Sequence, residues 1–391
     1  MTDARLALLG GEPAFVESVP FVRPPAPPIE AVFARLAPSY ERGQLTNGPL
    51  VRELEFAAAE LLEVDHVVAV GTCTTGLMLA LRVLEPRGDV LLPSFTFSAS
   101  AHAIAWNALG TRFAECDVES FQLDLADAKD RLDGVGAVMA THVFGAPCDP
   151  TGVEALAASI GVPVVFDAAH GFGARTSERA LGGHGIAEVF SLTPTKPVVA
   201  GEGGLIGTSD AALAEALRIG RDYGNPGDYD TRFVGLNGRM SELHAAVALC
   251  SLDFFAEHLA LRQELAGRYR GALDGVPGVS MQAIRPGDTS TYKDLTIAID
   301  PDAYGTTRDV LVAALRAEGV DTRNYFDPPV HRQQSHRAGA PDLPVTDRVA
   351  ASVVSLPIYP ALDPAAIDRI AAIVAAVGRH GPECTVAAAG A

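Results

Sequence analysis

Two observations predict an α/β fold built on a mostly parallel sheet flanked by helices. Between residues 50 and 166, helical and strand-like segments alternate, and the strand-like ones are short apolar runs with no polar alternation. Such runs belong to strands buried on both faces, and parallel strands need crossover connections, which are usually helices. A third observation divides the chain. After residue 189 the rhythm breaks into short pieces, and a sparser mixture of helices and strands follows. The expected organisation is an N-terminal arm and large α/β domain over residues 1–250, then a smaller α+β C-terminal domain over 251–391.

Each element has its own reason. Residues 20–28 are Pro-rich and read as an extended arm. Apolar positions at helical spacing predict a helix over 51–62, then a strand over 66–70. Helices at 76–84, 99–109, 123–132 and 153–160 alternate with strands at 89–92, 111–115, 135–143 and 162–166. Short segments at 189–192 and 204–208 are broken by Pro194, Pro197 and several glycines. Residues 242–270 read as one long helix ended by a turn at 274–278. Segments 294–299, 308–318, 320–324 and 365–377 make up the small unit, and residues from 381 onward read as a frayed tail.

Composition excludes several classes. The chain has 391 residues, is 48% hydrophobic and carries a formal charge of −18. Such an acidic surface argues against nucleic acid or an anionic membrane as partner. The five cysteines (Cys73, Cys116, Cys148, Cys250, Cys384) show no C-x-x-C pair and no His at zinc-binding distance, so no disulfide framework and no metal site is expected. The N-terminal segment, with Asp3 and Arg5, is too short and polar for a signal peptide, and no apolar run reaches membrane-spanning length. A cytoplasmic location is expected.

Only three of the 30 basic residues are lysines: Lys129, Lys196 and Lys293. An amine can lose its proton and form a Schiff base, which a guanidinium cannot. Lys129 stands among Asp127, Asp130 and Arg131 on a surface helix, and Lys293 is followed by Asp294, so both read as surface charges. Lys196 is held out of any helix by Pro194 and Pro197. Ligands of open parallel sheets bind beyond the carboxyl ends of the strands. That rule selects Asp167, which the residues alone leave as either a functional carboxylate or a helix cap. A Lys and an Asp on one sheet edge suit pyridoxal phosphate, the amine carrying the cofactor and the carboxylate pairing with its ring nitrogen. Gly71-Thr72-Cys73-Thr74-Thr75-Gly76, between a strand and a helix, offers the phosphate cradle. The Gly201–Gly204 cluster lacks dinucleotide-binding spacing, which sets a dehydrogenase aside.

With these residues in view, the sequence resembles the nucleotide-sugar aminotransferases of the DegT/StrS group, fold-type I enzymes dependent on pyridoxal phosphate. The resemblance runs from Leu45-Thr46-Asn47-Gly48-Pro49 to Leu356-Pro357-Ile358-Tyr359-Pro360. Between them lie Pro93-Ser94-Phe95-Thr96-Phe97, His142-Val143-Phe144-Gly145 with Pro147-Cys148-Asp149, Asp167-Ala168-Ala169-His170, Ser191 to Lys196, Glu202-Gly203-Gly204, and Gly235 to Glu242. Eight ordered motifs are specific together, though none is alone.

The resemblance implies roles. Lys196 is the Schiff-base lysine and proton carrier, Asp167 pairs with the pyridine nitrogen, and Phe97 stacks on the ring. His170 stands where the family usually has Gln. Thr74 and Ser191 bind phosphate, joined by Asn237 from a partner subunit, so a homodimer is implied. The usual Ser-Gly-Thr-Ala-Ala becomes Thr72-Cys73-Thr74-Thr75-Gly76, with Cys73 in place of a glycine. Arg239, Tyr325 and His331 fall in segments that line the sugar or nucleotide site, although Arg239 has a simpler reading as a helical partner of Glu242. The implied reaction moves an amino group from glutamate to a nucleotide-linked keto-sugar, with a lean to C4 of a dTDP-4-keto-6-deoxyhexose. A C3 or cyclitol aminotransferase is the near alternative. A C3 dehydratase, which replaces the lysine by His, conflicts with Lys196. A non-catalytic regulatory protein keeping the fold is the alternative from another class.

Overall fold

A computed structural model describes residues 5–390; residues 1–4 and 391 lie outside the described residues, and with them the part of the N-terminal reading that rested on Asp3. A seven-stranded sheet is formed by β1 (His66–Val70), β2 (Asp89–Pro93), β3 (Thr111–Ala114), β4 (Val135–Thr141), β5 (Val164–Asp167), β6 (Ala187–Ser191) and β7 (Gly204–Thr208). Its spatial order is β1-β7-β6-β5-β4-β2-β3. The run from β6 to β3 is parallel, and β7 is antiparallel to both its neighbours. This is the α/β sheet the sequence predicts. Successive residues of a strand point to opposite faces. Val67 and Ala69 accordingly enter one buried core, and Val68 and Val70 another. Both faces are covered, which is why the strand sequences carry no polar alternation.

A second sheet, β8 (Val279–Met281), β9 (Leu295–Ile299) and β10 (Val353–Leu356), is antiparallel in the order β10-β9-β8. Its core includes Ile297, Leu311, Ile367 and Tyr269, and it takes in Leu6 and Val19 from the N-terminal segment.

Three expectations need correction. Residues 242–270 are two helices, Glu242–Leu252 and Phe255–Leu273, meeting at a 60° bend. The bend turns the second helix from the core around β1 and β7 toward the core of the second sheet, a tertiary demand that helical periodicity does not encode. Residues 381–389 form the helix Gly381–Ala389, seated on the second core through fully buried Cys384. The segment 320–324 joins the small unit through isolated bridges, Val320 with Val19 and Arg323 with Ser355. Lys293 is buried, as described below. Among the described residues no single helix is long and apolar enough to cross a membrane.

Glu242, first residue of its helix, is fully buried. Its carboxylate accepts from the amides of Gly48 (2.9 Å), Leu50 (2.9 Å) and Val51 (3.0 Å) and from Ser39 Oγ (2.8 Å). It thereby satisfies the otherwise free amides that open the helix Pro49–Leu62. A Cβ on Gly48 would lie 2.8 Å from Glu242 Cδ, which explains the glycine.

Candidate active site

The carboxyl edges of β4, β5 and β6 bring the chemistry-bearing residues together. Asp167 closes β5 and is 3% exposed. Ser100 Oγ donates to its Oδ2 at 2.6 Å, and the Ala169 amide donates to Oδ1 at 3.1 Å. Ser100 Oγ is 3.0 Å from Thr96 Oγ1, which is 3.1 Å from Thr141 Oγ1. With its own proton committed to Asp167, Ser100 can only accept from Thr96, and Thr96 in turn only from Thr141. The three hydroxyls therefore point their dipoles toward the carboxylate, each polarising the next. Burial pushes the Asp167 carboxyl up, opposed by the Ser100 and Ala169 hydrogen bonds and by the charge of Lys196. Such a carboxylate suits a cationic N–H partner.

Lys196 lies on the excursion between β6 and β7. Ser191 pairs with Gly204, the Leu192 amide donates to Gly203 O, and the Ala200 amide donates to Leu192 O, so the excursion is closed at its base. Lys196 is 9% exposed, and its Nζ makes no hydrogen bond among the described residues. Burial, and next the charge of Lys293, bring its amine down to about 7, against the contrary pull of Asp294, Cys73 and Asp167. A lysine amine in this state is a nucleophile and a base near neutral pH.

Beside it, the helix Cys73–Leu84 starts at the N-cap Thr72, whose hydroxyl accepts from the Thr75 amide at 3.0 Å. The amides of Cys73 and Thr74 have no partner among the described residues, so this helix end is open to an anion. Gly204 is required here: its Cβ would fall 2.6 Å from Cys73 N. The buried thiol of Cys73 is pushed well above its usual range by burial. An unpartnered amine, a buried carboxylate and an open helix end together fit pyridoxal phosphate.

The other predicted residues divide. His170 Nδ1 accepts from the Phe144 amide at 3.2 Å, which leaves the proton of a neutral ring on Nε2. Burial, and the charges of Lys196 and Lys293, hold it well below its ordinary value. Phe97 is 57% exposed, its ring centroid 6.4 Å from that of Phe326. Ser191 is buried at the end of β6, its hydroxyl 3.3 Å from Thr193 Oγ1. Asn237 is exposed, while the next residue, Gly238, accepts from the Gly71 amide of the cradle at 2.8 Å.

Arg239 pairs with Asp222 at 2.9 Å and lies over the Tyr223 ring, so the helical pairing with Glu242 does not form; Glu242 is committed to the helix cap. Tyr325 is half-buried against Lys293. His331 is sealed between Ser94 Oγ (2.7 Å) and Asp347 (3.2 Å).

Sequence reasoning missed two features. The Thr141–Thr96–Ser100 chain is assembled from three segments, and its one local signal was the cluster of hydroxyls from Ser94 to Ser100. Lys293, beside Asp294 in the sequence, is the second. The pairing exists, at 2.8 and 3.0 Å, but both side chains are buried.

The family described as DegT/DnrJ/EryC1/StrS aminotransferase matches residues 29–375. Over 348 residues the chain is 32% identical to the dTDP-3-amino-3,4,6-trideoxy-alpha-D-glucose transaminase of Streptomyces venezuelae, covering 87% of this chain and 90% of that protein. It is 28% identical over 363 residues to the dTDP-4-amino-4,6-dideoxy-D-glucose transaminase of Escherichia coli, covering 90% and 97%. Among solved structures, DesI in the presence of its TDP-sugar product aligns with a TM-score of 0.92 at 35% identity, over 97% of this chain and 98% of that one.

Proposed function

The chain belongs to the DegT/DnrJ/EryC1/StrS aminotransferase family, whose chemistry depends on pyridoxal phosphate, and we propose that it transfers an amino group from glutamate to C4 of a dTDP-4-keto-6-deoxyhexose. The coarser part, a sugar aminotransferase acting on nucleotide sugars, rests on the family and on the relatives named above. The finer part rests on the segments from His142 to Asp149 and from Asp167 to His170, which resemble members acting at C4. The 32% identity to the Streptomyces 3-amino-sugar transaminase favours a C3 reading.

The observation that carries the reading is the buried, unpartnered Lys196 beside buried Asp167. Bound here, pyridoxal phosphate supplies an electron sink for the carbon that loses its proton. Lys196 Nζ would carry the cofactor and, once displaced by the incoming amine, take a proton from the donor carbon and return one to the sugar carbon. Asp167, fed by the hydroxyl chain, would hold a proton on the ring nitrogen. The Cys73 and Thr74 amides with the hydroxyls of Thr74 and Ser191 would take the phosphate. Phe97 and His170 would flank the ring.

A homodimer completes the proposal, with Asn237 reaching the partner's cofactor. Exposed Phe33, Tyr40 and Phe56 supply apolar surface for such an interface. Five free, buried cysteines suit a reducing cytoplasm.

Incubation with glutamate and a panel of keto-sugar nucleotides, with product regiochemistry read by NMR, tests the substrate reading. Amination at C3 alone would overturn the C4 assignment. Lys196→Ala is expected to abolish turnover and covalent cofactor attachment, and unchanged activity would refute the mechanism. An active monomer in sedimentation would refute the dimer.

A further inference from the structure

Lys293 reaches the site from the second sheet. Its side chain is 4% exposed, both Asp294 oxygens contact its Nζ, and the Nζ lies 5.4 Å from the Tyr325 ring centroid. The backbone around it is fastened to the edge that carries Asp167. The Lys293 amide donates to Thr291 Oγ1 (3.2 Å), Thr291 Oγ1 donates to His170 O (2.8 Å), and the Thr291 amide donates to Gly145 O (3.1 Å). Behind it, buried Arg262 donates Nη1 to the carbonyls of Tyr292 and Ile358, both at 3.1 Å. Buried ion pairs contribute little net stability compared with apolar residues of the same size. A pair held this firmly at a reaction edge therefore calls for another role.

We propose that Lys293, with Asp294 as its counterion, is a positioning residue of the transamination site: a fixed charge couple that governs whether the Lys196 amine holds its proton. The inference rests on the reading of Lys196 as the reacting amine. The charges acting on the Lys196 amine are those of Lys293 and Asp294, just ahead of β9, and of Cys73 and Asp167, while Lys196 and Lys293 act together on His170. Around Lys293 stand Asp294 and the Tyr325 ring, Arg262 lies behind its carbonyl, and its charge acts on His170 and Lys196. The two members of the couple act on Lys196 with opposite sign. Removing the cation leaves an unpaired carboxylate that favours the ammonium, and removing the carboxylate leaves an unscreened cation that disfavours it.

That opposition separates an electrostatic role from a structural one, because either substitution breaks the same ion pair. The visible absorbance of the holoenzyme, titrated with pH, reads the proton on the Lys196 nitrogen. With only three lysines, side-chain NMR of the full chain labelled with 13C-lysine and stripped of cofactor reads the same group directly. Lys293→Met is expected to move the Lys196 midpoint up by about one pH unit or more and Asp294→Asn to move it down. Lys293→Arg stays near the parent, and the double variant Lys293→Met/Asp294→Asn returns toward it.

Shifts of the same sign, or none beyond about 0.3 unit, overturn the proposal. Should the Lys293 and Asp294 variants not fold, the Lys293 signal in Lys196→Ala decides. Its parent curve is expected to carry an inflection at the Lys196 midpoint that vanishes in the variant, and an unchanged curve overturns the proposal. Absent coupling with Lys196→Ala still inactive refutes this inference alone, whereas an active Lys196→Ala refutes the reading of the site.

Discussion

Glu242 and Asp167 are both buried carboxylates, and both lie in motifs by which the family resemblance was drawn, yet the regions around them are built differently. Glu242 meets four donors on the opening of the helix Pro49–Leu62 and the neighbouring Ser39, with no cation in the set. Asp167 meets two donors, one of them at the end of an oriented hydroxyl chain, and its other neighbours are ionisable: Lys196 and His142. A carboxylate whose lone pairs are taken up by backbone amides is part of the framework. One left partly unsatisfied, its pKa raised by burial, is prepared for a ligand. Burial alone does not tell the two apart, but the inventory of donors does.

Substitution can break that contrast in a graded way. Asp167→Ala is expected to lower kcat/KM by about three orders of magnitude, ~4 kcal/mol in the transition state, while the thermal midpoint holds or rises; steady-state kinetics beside calorimetry check this. Glu242→Ala should do the reverse. Three amides lose their acceptor, costing about 3 kcal/mol of stability by denaturant titration, with kcat per folded molecule unchanged. If the Glu242 variant instead folds normally and loses activity, the framework reading of that motif is wrong. Ser100→Ala removes one donor from Asp167 and disconnects Thr96 and Thr141 from it. A fall of about tenfold in cofactor affinity, ~1.4 kcal/mol, is expected from equilibrium dialysis.

The smallest effect concerns pH. Since the Lys196 amine is brought down to about 7 by burial and by Lys293, it is protonated below that value and free above it. The rate of covalent cofactor loading should therefore rise about tenfold per pH unit below about 7 and level off above it. A rise continuing to the range of an ordinary lysine would show that Lys196 is not shielded as described.

Much of this was legible in the sequence because the signals were local. The strands His66–Val70 and Asp89–Pro93 fall where apolar runs between turn residues place them. Lys196 stood out because two prolines and the scarcity of lysines isolate it. The failures were all tertiary. Nothing in Tyr292-Lys293-Asp294 distinguishes an exposed ion pair from one carried inward by β9 and covered by Tyr325. The helix break near Asp253 and Phe254 follows from the arrangement of two cores. The seating of Gly381–Ala389 depends on a surface composed of residues far along the chain, including Leu8 and Leu9. Arg239 found Asp222 across a loop instead of Glu242 along a helix, a choice decided by the amides around Gly48.

The closed base of the excursion between β6 and β7 has an evolutionary consequence. Because the Ser191–Gly204 pairing and the bonds of Leu192 and Ala200 are made by backbone atoms, the sheet does not depend on which side chain stands at position 196. The side chain at that position can be exchanged by a single codon change while the backbone that presents it is inherited intact. A scaffold of this kind can diversify its chemistry faster than its shape.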